Sequence, residues 1–171
     1  LDHPERVKKL ALVGMPVGFF DVAADSLKDL CTIPGRAMDF MNRVTTLEGQ
    51  HWQYRKMFHI DPATVPDVYF RARVAGVNLP GVKETWATIL QRLCGPRGIQ
   101  PQFYLRNELP TLRMPVLTIW GENDMAPKDA GEEAAASIPD SRFVCLSHAG
   151  HFPFLEAPAE TANLIRAFLA E

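Results

Sequence analysis

The chain lacks most of the features that would narrow its function at once. Its 171 residues hold three cysteines, Cys31, Cys94 and Cys145, which are far apart and never form a C-x-x-C pair. That pattern excludes a disulfide frame and a zinc site and points to reduced thiols in a cytoplasmic protein. No apolar run approaches the roughly 20 residues of a spanning helix, so no membrane partner is expected. Charge of one sign is not in excess: 18 Lys and Arg against 20 Asp and Glu leave a net −2. Such a balance gives no electrostatic case for nucleic acid or an anionic lipid surface. The opening "LDHPERVKK" has no initiator Met, basic n-region or h-region, and reads as the middle of something. Internal repeats and low-complexity segments are missing as well.

Three short apolar runs are present: "VKKLALV" (7–13), "PVLTIW" (115–120) and "RFVCLS" (142–147). Each is nearly continuous in apolar residues rather than alternating, which is the pattern of strands buried on both faces. An Ala- and Glu-rich helix ending at Pro139 is expected between the second and third. After the third, "APAETANLIRAFLAE" places Pro158 near a helix start and Leu164, Ile165, Phe168 and Leu169 on one face. Strand, helix, strand, helix is the pattern of a parallel α/β sheet. Residues 18–109 break it. The segments 21–31, 35–52, 65–77 and 82–94 read as amphipathic helices with no strand among them, an insertion expected to pack over the carboxyl ends of the strands. Trp52 and Trp86 within it read as core residues. Three parallel strands are few, and the first has no helix before it, so missing sequence upstream and self-association through an uncovered sheet edge are expected.

In open parallel sheets, sites form beyond the carboxyl ends of strands. Asp124 follows the second run in "WGENDMAP", and His151 follows the third in "LSHAGHFPFLEAP". A carboxylate and an imidazole on neighbouring loops can share a hydrogen bond in which the acid accepts from Nδ1–H. That bond fixes the tautomer and stabilises the imidazolium formed when Nε2 takes a proton. Gly121 and Gly150 let the chain turn beside each group. Blander readings exist: a His in a glycine-containing loop is commonly a surface or capping residue, and an Asp in "GEND" a turn residue. A metal site built from His148, His151 and Asp124 or Glu156 is the least favoured, because the spacing is generic.

These same stretches resemble the α/β-hydrolase superfamily. "MPVLTIWGENDMAP" looks like its last-but-one strand with the acid loop, "AGHFPFLEAPAETANLIRAFL" like its histidine loop and closing helix, and "HPERVKKLALVGMP" like the segment entering its sixth strand. The resemblance implies a partial α/β-hydrolase fold of parallel strands with a helical cap insertion. Residues 1–17 and 110–171 would form the core and 18–109 the cap. It further implies Asp124 as triad acid and His151 as general base, in the family's order of nucleophile, acid, histidine. No cofactor and no metal are implied.

One family element is absent. No G-x-S-x-G elbow occurs; Ser26, Ser137, Ser141 and Ser147 stand outside any such turn. The expectation is a hydrolase whose nucleophile lies outside this chain, leaving the chain inactive alone. Its substrate would be small and largely apolar, suited to Phe40, Met41, Met57, Phe58 and Phe70 in the cap. The bond cut would be that of an ester, lactone, amide or C–C linkage. Two alternatives stay open: haloalkane or epoxide hydrolysis with an Asp nucleophile, for which Tyr54, Tyr69 and Tyr104 could donate protons, and a non-catalytic binding module of the same fold. A helical interaction domain over 18–109 leaves the Asp124 and His151 loops unexplained.

Overall fold

The computed structural model describes residues 3–14, 18 and 25–171. In chain order its elements are β1 (Leu10–Val13), α1 (Asp25–Thr32), α2 (Arg36–Arg43), α3 (Leu47–Met57), α4 (Asp67–Val77), α5 (Val82–Leu93), β2 (Cys94–Gly95) and β3 (Gly98–Ile99). They continue with β4 (Val116–Gly121), α6 (Lys128–Ala136), β5 (Ser141–Leu146), α7 (Pro153–Glu156) and α8 (Pro158–Ala170). These fall into two compact units, Leu1–Phe20 with Tyr104–Glu171, and Asp21–Phe103.

The first unit is the parallel sheet expected from the sequence, ordered β1-β4-β5 with β4 in the centre. β4 is apolar throughout because both its faces are covered. Val116 and Trp120 pack with Ala134 and Ile138 of the α6 side. Leu117 and Ile119 pack with Leu164, Ile165 and Phe168 of α8. All six residues of β4 are buried, while its neighbours on either edge are only partly so. β1 is shorter than the run 7–13. Its ladder starts where Leu10 N–H donates to the Pro115 carbonyl, and β4 offers nothing earlier because Pro115 itself has no N–H to give. Leu169 does not join the α8 stripe. It is 59% exposed in the last turn, whose carbonyls at Phe168 and Leu169 accept from Lys9 Nζ.

The second unit is helical, with two departures from the sequence pattern. Residues 35–52 form two helices, because Thr46 adopts an extended backbone (φ −117°, ψ 160°) and its side chain accepts from Gly49 N–H. A threonine hydroxyl that caps a new helix competes with continuing the old one. Beyond α5 the chain makes a minimal antiparallel ladder, β2 with β3, across Pro96 and Arg97, so the middle segment is not free of strand. The residue before a proline is driven out of the helical region, which ends α5 at Leu93 and leaves Cys94 and Gly95 extended. The unit's core holds Ala37, Met41, Val44, Val77 and Ala87. Trp86 is not part of it. It is 51% exposed, because the adjacent Ala87 is the residue α5 turns inward. The beginning of the insertion, residues 19–24, lies outside the described residues. Among the described residues no helix is long and apolar enough to cross a membrane.

Candidate active site

The parallel register sets the carboxyl ends of β4 and β5 level, with Gly121 opposite Leu146. Each strand then enters a tight loop closed by its own backbone: Asp124 N–H donates to the Gly121 carbonyl, and Ala149 N–H to the Leu146 carbonyl. The two loops are also tied to each other. Glu122 N–H donates to Leu146 O and Asn123 N–H to Ala149 O, both at 3.0 Å. They touch so closely that a Cβ on Gly121 would stand 2.0 Å from the Gly150 carbonyl oxygen. A third contact comes from β1. Gly14, at φ +83°, donates to Ile119 O, and a Cβ there would meet the His151 carbonyl oxygen at 2.7 Å. Glycine at both positions is a requirement of space.

This packing brings together the two residues singled out in the sequence. His151 Nδ1 lies 3.0 Å from Asp124 Oδ1. The Asp124 side chain is 0% exposed and that of His151 16%. An ionised carboxylate is acceptor-only, so in that state the proton of this contact belongs to His151 Nδ1. The Ala126 amide also points at Asp124 Oδ1, at 3.4 Å. Oδ2 is buried and accepts no bond from the described residues. The Phe152 ring stands edge-on to the imidazole, with centroids 4.7 Å apart and planes at 66°.

The other candidates go elsewhere. His148 turns outward, its Nε2 3.2 Å from Glu160. Glu156 is occupied with backbone amides, so the set imagined for a metal is not brought together, and no group of three or more His, Cys, Asp or Glu suited to a metal occurs among the described residues. Ser137 caps α6, donating to Ala134 O, Ser141 opens β5 at the end away from Leu146, and Ser147 is exposed; the side chain of Ser26 lies outside the described residues. In the helical unit, Tyr54 and Tyr69 share a 2.7 Å hydroxyl contact. Burial, reinforced by that bond, pushes the Tyr54 phenol far above its ordinary pKa. Met41 and Phe70 are buried in the unit's own interior, so their apolarity needs no substrate to account for it. A cavity of about 410 Å³ in this unit is lined by Arg43, Glu48, His51, Trp52, Arg55 and Lys56, with the Arg43 guanidinium 3.7 Å above the Trp52 ring.

Sequence reasoning missed the supports of the site. Asn123 anchors the histidine loop through its backbone, and its Nδ2 reaches Ser147 O at 3.4 Å. Glu156 Oε2 accepts from Gly150 N–H at 2.9 Å and from Phe152 N–H at 3.2 Å. Thr161 Oγ1 donates to Pro153 O. The available signal was a carboxylate a few residues past the histidine, within reach of that loop's own backbone amides.

Comparison with known proteins is consistent across three levels. The model of the "Alpha/beta hydrolase family" matches residues 10–164. A 2-hydroxy-6-oxononadienedioate/2-hydroxy-6-oxononatrienedioate hydrolase of Pseudomonas sp. is 26% identical over 99% of this chain and 57% of its own length. A pimeloyl-[acyl-carrier protein] methyl ester esterase of Stenotrophomonas maltophilia is 37% identical over 39% of this chain and 26% of its own. Among solved structures, serine hydrolase CCSP0084 from Cycloclasticus zankles has the same fold, with TM-score 0.73 and 21% identity, covering 98% of this chain and 57% of that one. Carboxylesterase CesB from Bacillus subtilis aligns with TM-score 0.67 and 22% identity, over 98% and 53%. The chain thus spans little more than half the length of the proteins it matches end to end.

Proposed function

This chain belongs to the alpha/beta hydrolase family, and from that premise we propose that it carries the acid and the general base of a hydrolase active site. In this reading Asp124 is the acid, His151 is the base, and the nucleophile stands outside these residues. The single observation that supports it is the 3.0 Å approach of His151 Nδ1 to the buried Asp124 carboxylate, at the carboxyl ends of adjacent parallel strands.

The chemistry follows from that pairing. With Nδ1–H committed to Asp124, Nε2 accepts the proton of a hydroxyl nucleophile as its oxygen bonds to a substrate carbonyl carbon. The tetrahedral adduct then expels its leaving group, which takes the proton from Nε2 and departs neutral. Water enters, gives Nε2 a proton while its oxygen attacks the acyl carbon, and the nucleophile regains that proton as the acid product is released. Asp124 stays ionised throughout and offsets the charge of the transient imidazolium. Residues 18–109 serve as the cap. The substrate is small and largely apolar, a reading supported by Phe40, Met57 and Phe58, which the helical unit leaves partly exposed. The relatives' names bring two classes of substrate into view, a methyl ester, which suits those apolar side chains, and a 2-hydroxy-6-oxo dienedioate, whose two carboxylates would need cationic or hydrogen-bonding partners as well.

The test is a full-length version of the protein assayed with an activated short-chain ester and with 2-hydroxy-6-oxononadienedioate. His151→Ala should abolish turnover, and Asp124→Asn should lower it by up to about 10⁴-fold by favouring the wrong tautomer. A His151→Ala enzyme with unimpaired turnover refutes the assignment.

A further inference from the structure

We propose that Glu156 is a positioning residue for the base: its carboxylate holds the backbone on both sides of His151 and so fixes the imidazole against Asp124. One oxygen, Oε2, accepts from Gly150 N–H at 2.9 Å and from Phe152 N–H at 3.2 Å. The residue between those two amides is His151. The two amides that flank the histidine thus converge on one carboxylate oxygen of the same loop.

An ordinary helix cap explains only part of this. Phe152 is the N-cap of α7, and a glutamate reaching back to an N-cap amide is a familiar way to satisfy an orphan donor. Gly150 precedes that cap and belongs to the loop, so its bond contributes nothing to starting α7. The carboxylate reaches back from Glu156 to the amino end of the one-turn helix Pro153–Glu156, where backbone N–H groups favour a negative charge. What the arrangement does achieve is to close a ring from Gly150 through His151 to Glu156 and back. Thr161 Oγ1 secures the same helix from the far side by donating to Pro153 O. Asp124 restrains the ring of His151 at Nδ1, and Glu156 restrains its main chain. A base that must accept and return a proton along one direction needs both restraints.

The inference rests on the proposed acid–base role of His151, but its test reads geometry instead of turnover, so either can fail without the other. In the 171-residue chain, ¹⁵N spectra of the His151 imidazole report the tautomer, and amide exchange reports the two backbone bonds. Glu156→Ala should speed exchange at Gly150 and Phe152 by roughly ten- to a hundredfold, the range for losing bonds to a charged acceptor. The His151 spectrum should move from one Nδ1–H tautomer toward a mixture. Glu156→Gln, isosteric and still an acceptor, should change both readouts in the same direction but less. Should the alanine variant not fold, the glutamine variant decides alone. Faster amide exchange with an unaltered His151 tautomer in the folded variants overturns the proposal, since that is the signature of a merely structural residue. Unaltered exchange at both amides overturns it as well.

Discussion

Replacing Gly121 by alanine tests how tightly the two loops are locked. The added Cβ would lie 2.0 Å from Gly150 O and 2.6 Å from Ala149 O, and both are backbone atoms. Real Cβ contacts essentially never fall below 3.0 Å, so one strand end must recede by about 1 Å, a displacement worth about 10² in turnover when it reaches reacting groups. No side chain can rotate away to absorb it. Gly121 has no left-handed φ, so backbone strain does not confuse the result. Overpacking of this kind costs about 1–3 kcal/mol, which lowers Tm by about 2–4 °C per kcal/mol in a chain of this size. Because Gly150 adjoins His151, the shift should also weaken the Nδ1 contact with Asp124. Thermal denaturation and histidine ¹⁵N spectra of Gly121→Ala should therefore change together. An unaltered Tm with an intact Nδ1–H tautomer would refute the reasoning, because it would mean the loops can part without cost.

Three further outcomes are expected. Thr46→Ala removes the hydroxyl that accepts from Gly49 N–H and should cost about 1 kcal/mol, read from a denaturant melt. His148→Ala breaks only an exposed pair with Glu160 and should change stability by less than about 1 kcal/mol, leaving the His151 spectrum untouched. Burial, together with a hydrogen bond to Cys31, pushes the Cys94 thiol up to about 12. Native Cys94 should therefore resist iodoacetamide at about pH 8 and react readily in urea, where its thiolate population rises; equal rates in both would contradict its burial. The sign of the linkage follows: the folded chain holds its thiol stability below 9.0, the ordinary value, and loses it as pH rises toward about 12.

How much was legible depended on whether a signal was local. The strands showed because β4 is covered on both sides, and continuous burial demands continuous apolarity. The contact between Asp124 and His151 was foreseeable because the polar residues of "GEND" and "SHAGH" directly follow two apolar runs that become neighbouring parallel strands. The division of 35–52 hung on one hydroxyl at Thr46, against which helical periodicity spoke the other way. The ladder at Cys94–Ile99 is too short for any alternation to register. Trp86 was misplaced because size and apolarity suggest burial, whereas the inward face of α5 is set by the small Ala87. Glu156 was visible as a residue but not as a clamp, since its partners are main-chain amides, which every sequence possesses equally.

The aligned pair is a short-range object. Asp124 and His151 stand 27 positions apart, and most of the bonds that orient them fall between Val116 and Glu156, with Gly14 and Thr161 the named contacts from elsewhere. Closing so short a loop costs little entropy, and local contacts of this kind form early and fast. One strand–helix–strand unit with its exit loops is thus a cassette that assembles the Asp124–His151 contact largely from its own residues. Under the proposed acid–base reading, the nucleophile becomes an exchangeable part in evolutionary terms. A different attacking group, brought to an unchanged histidine, would redirect the chemistry without requiring one new contact inside the cassette.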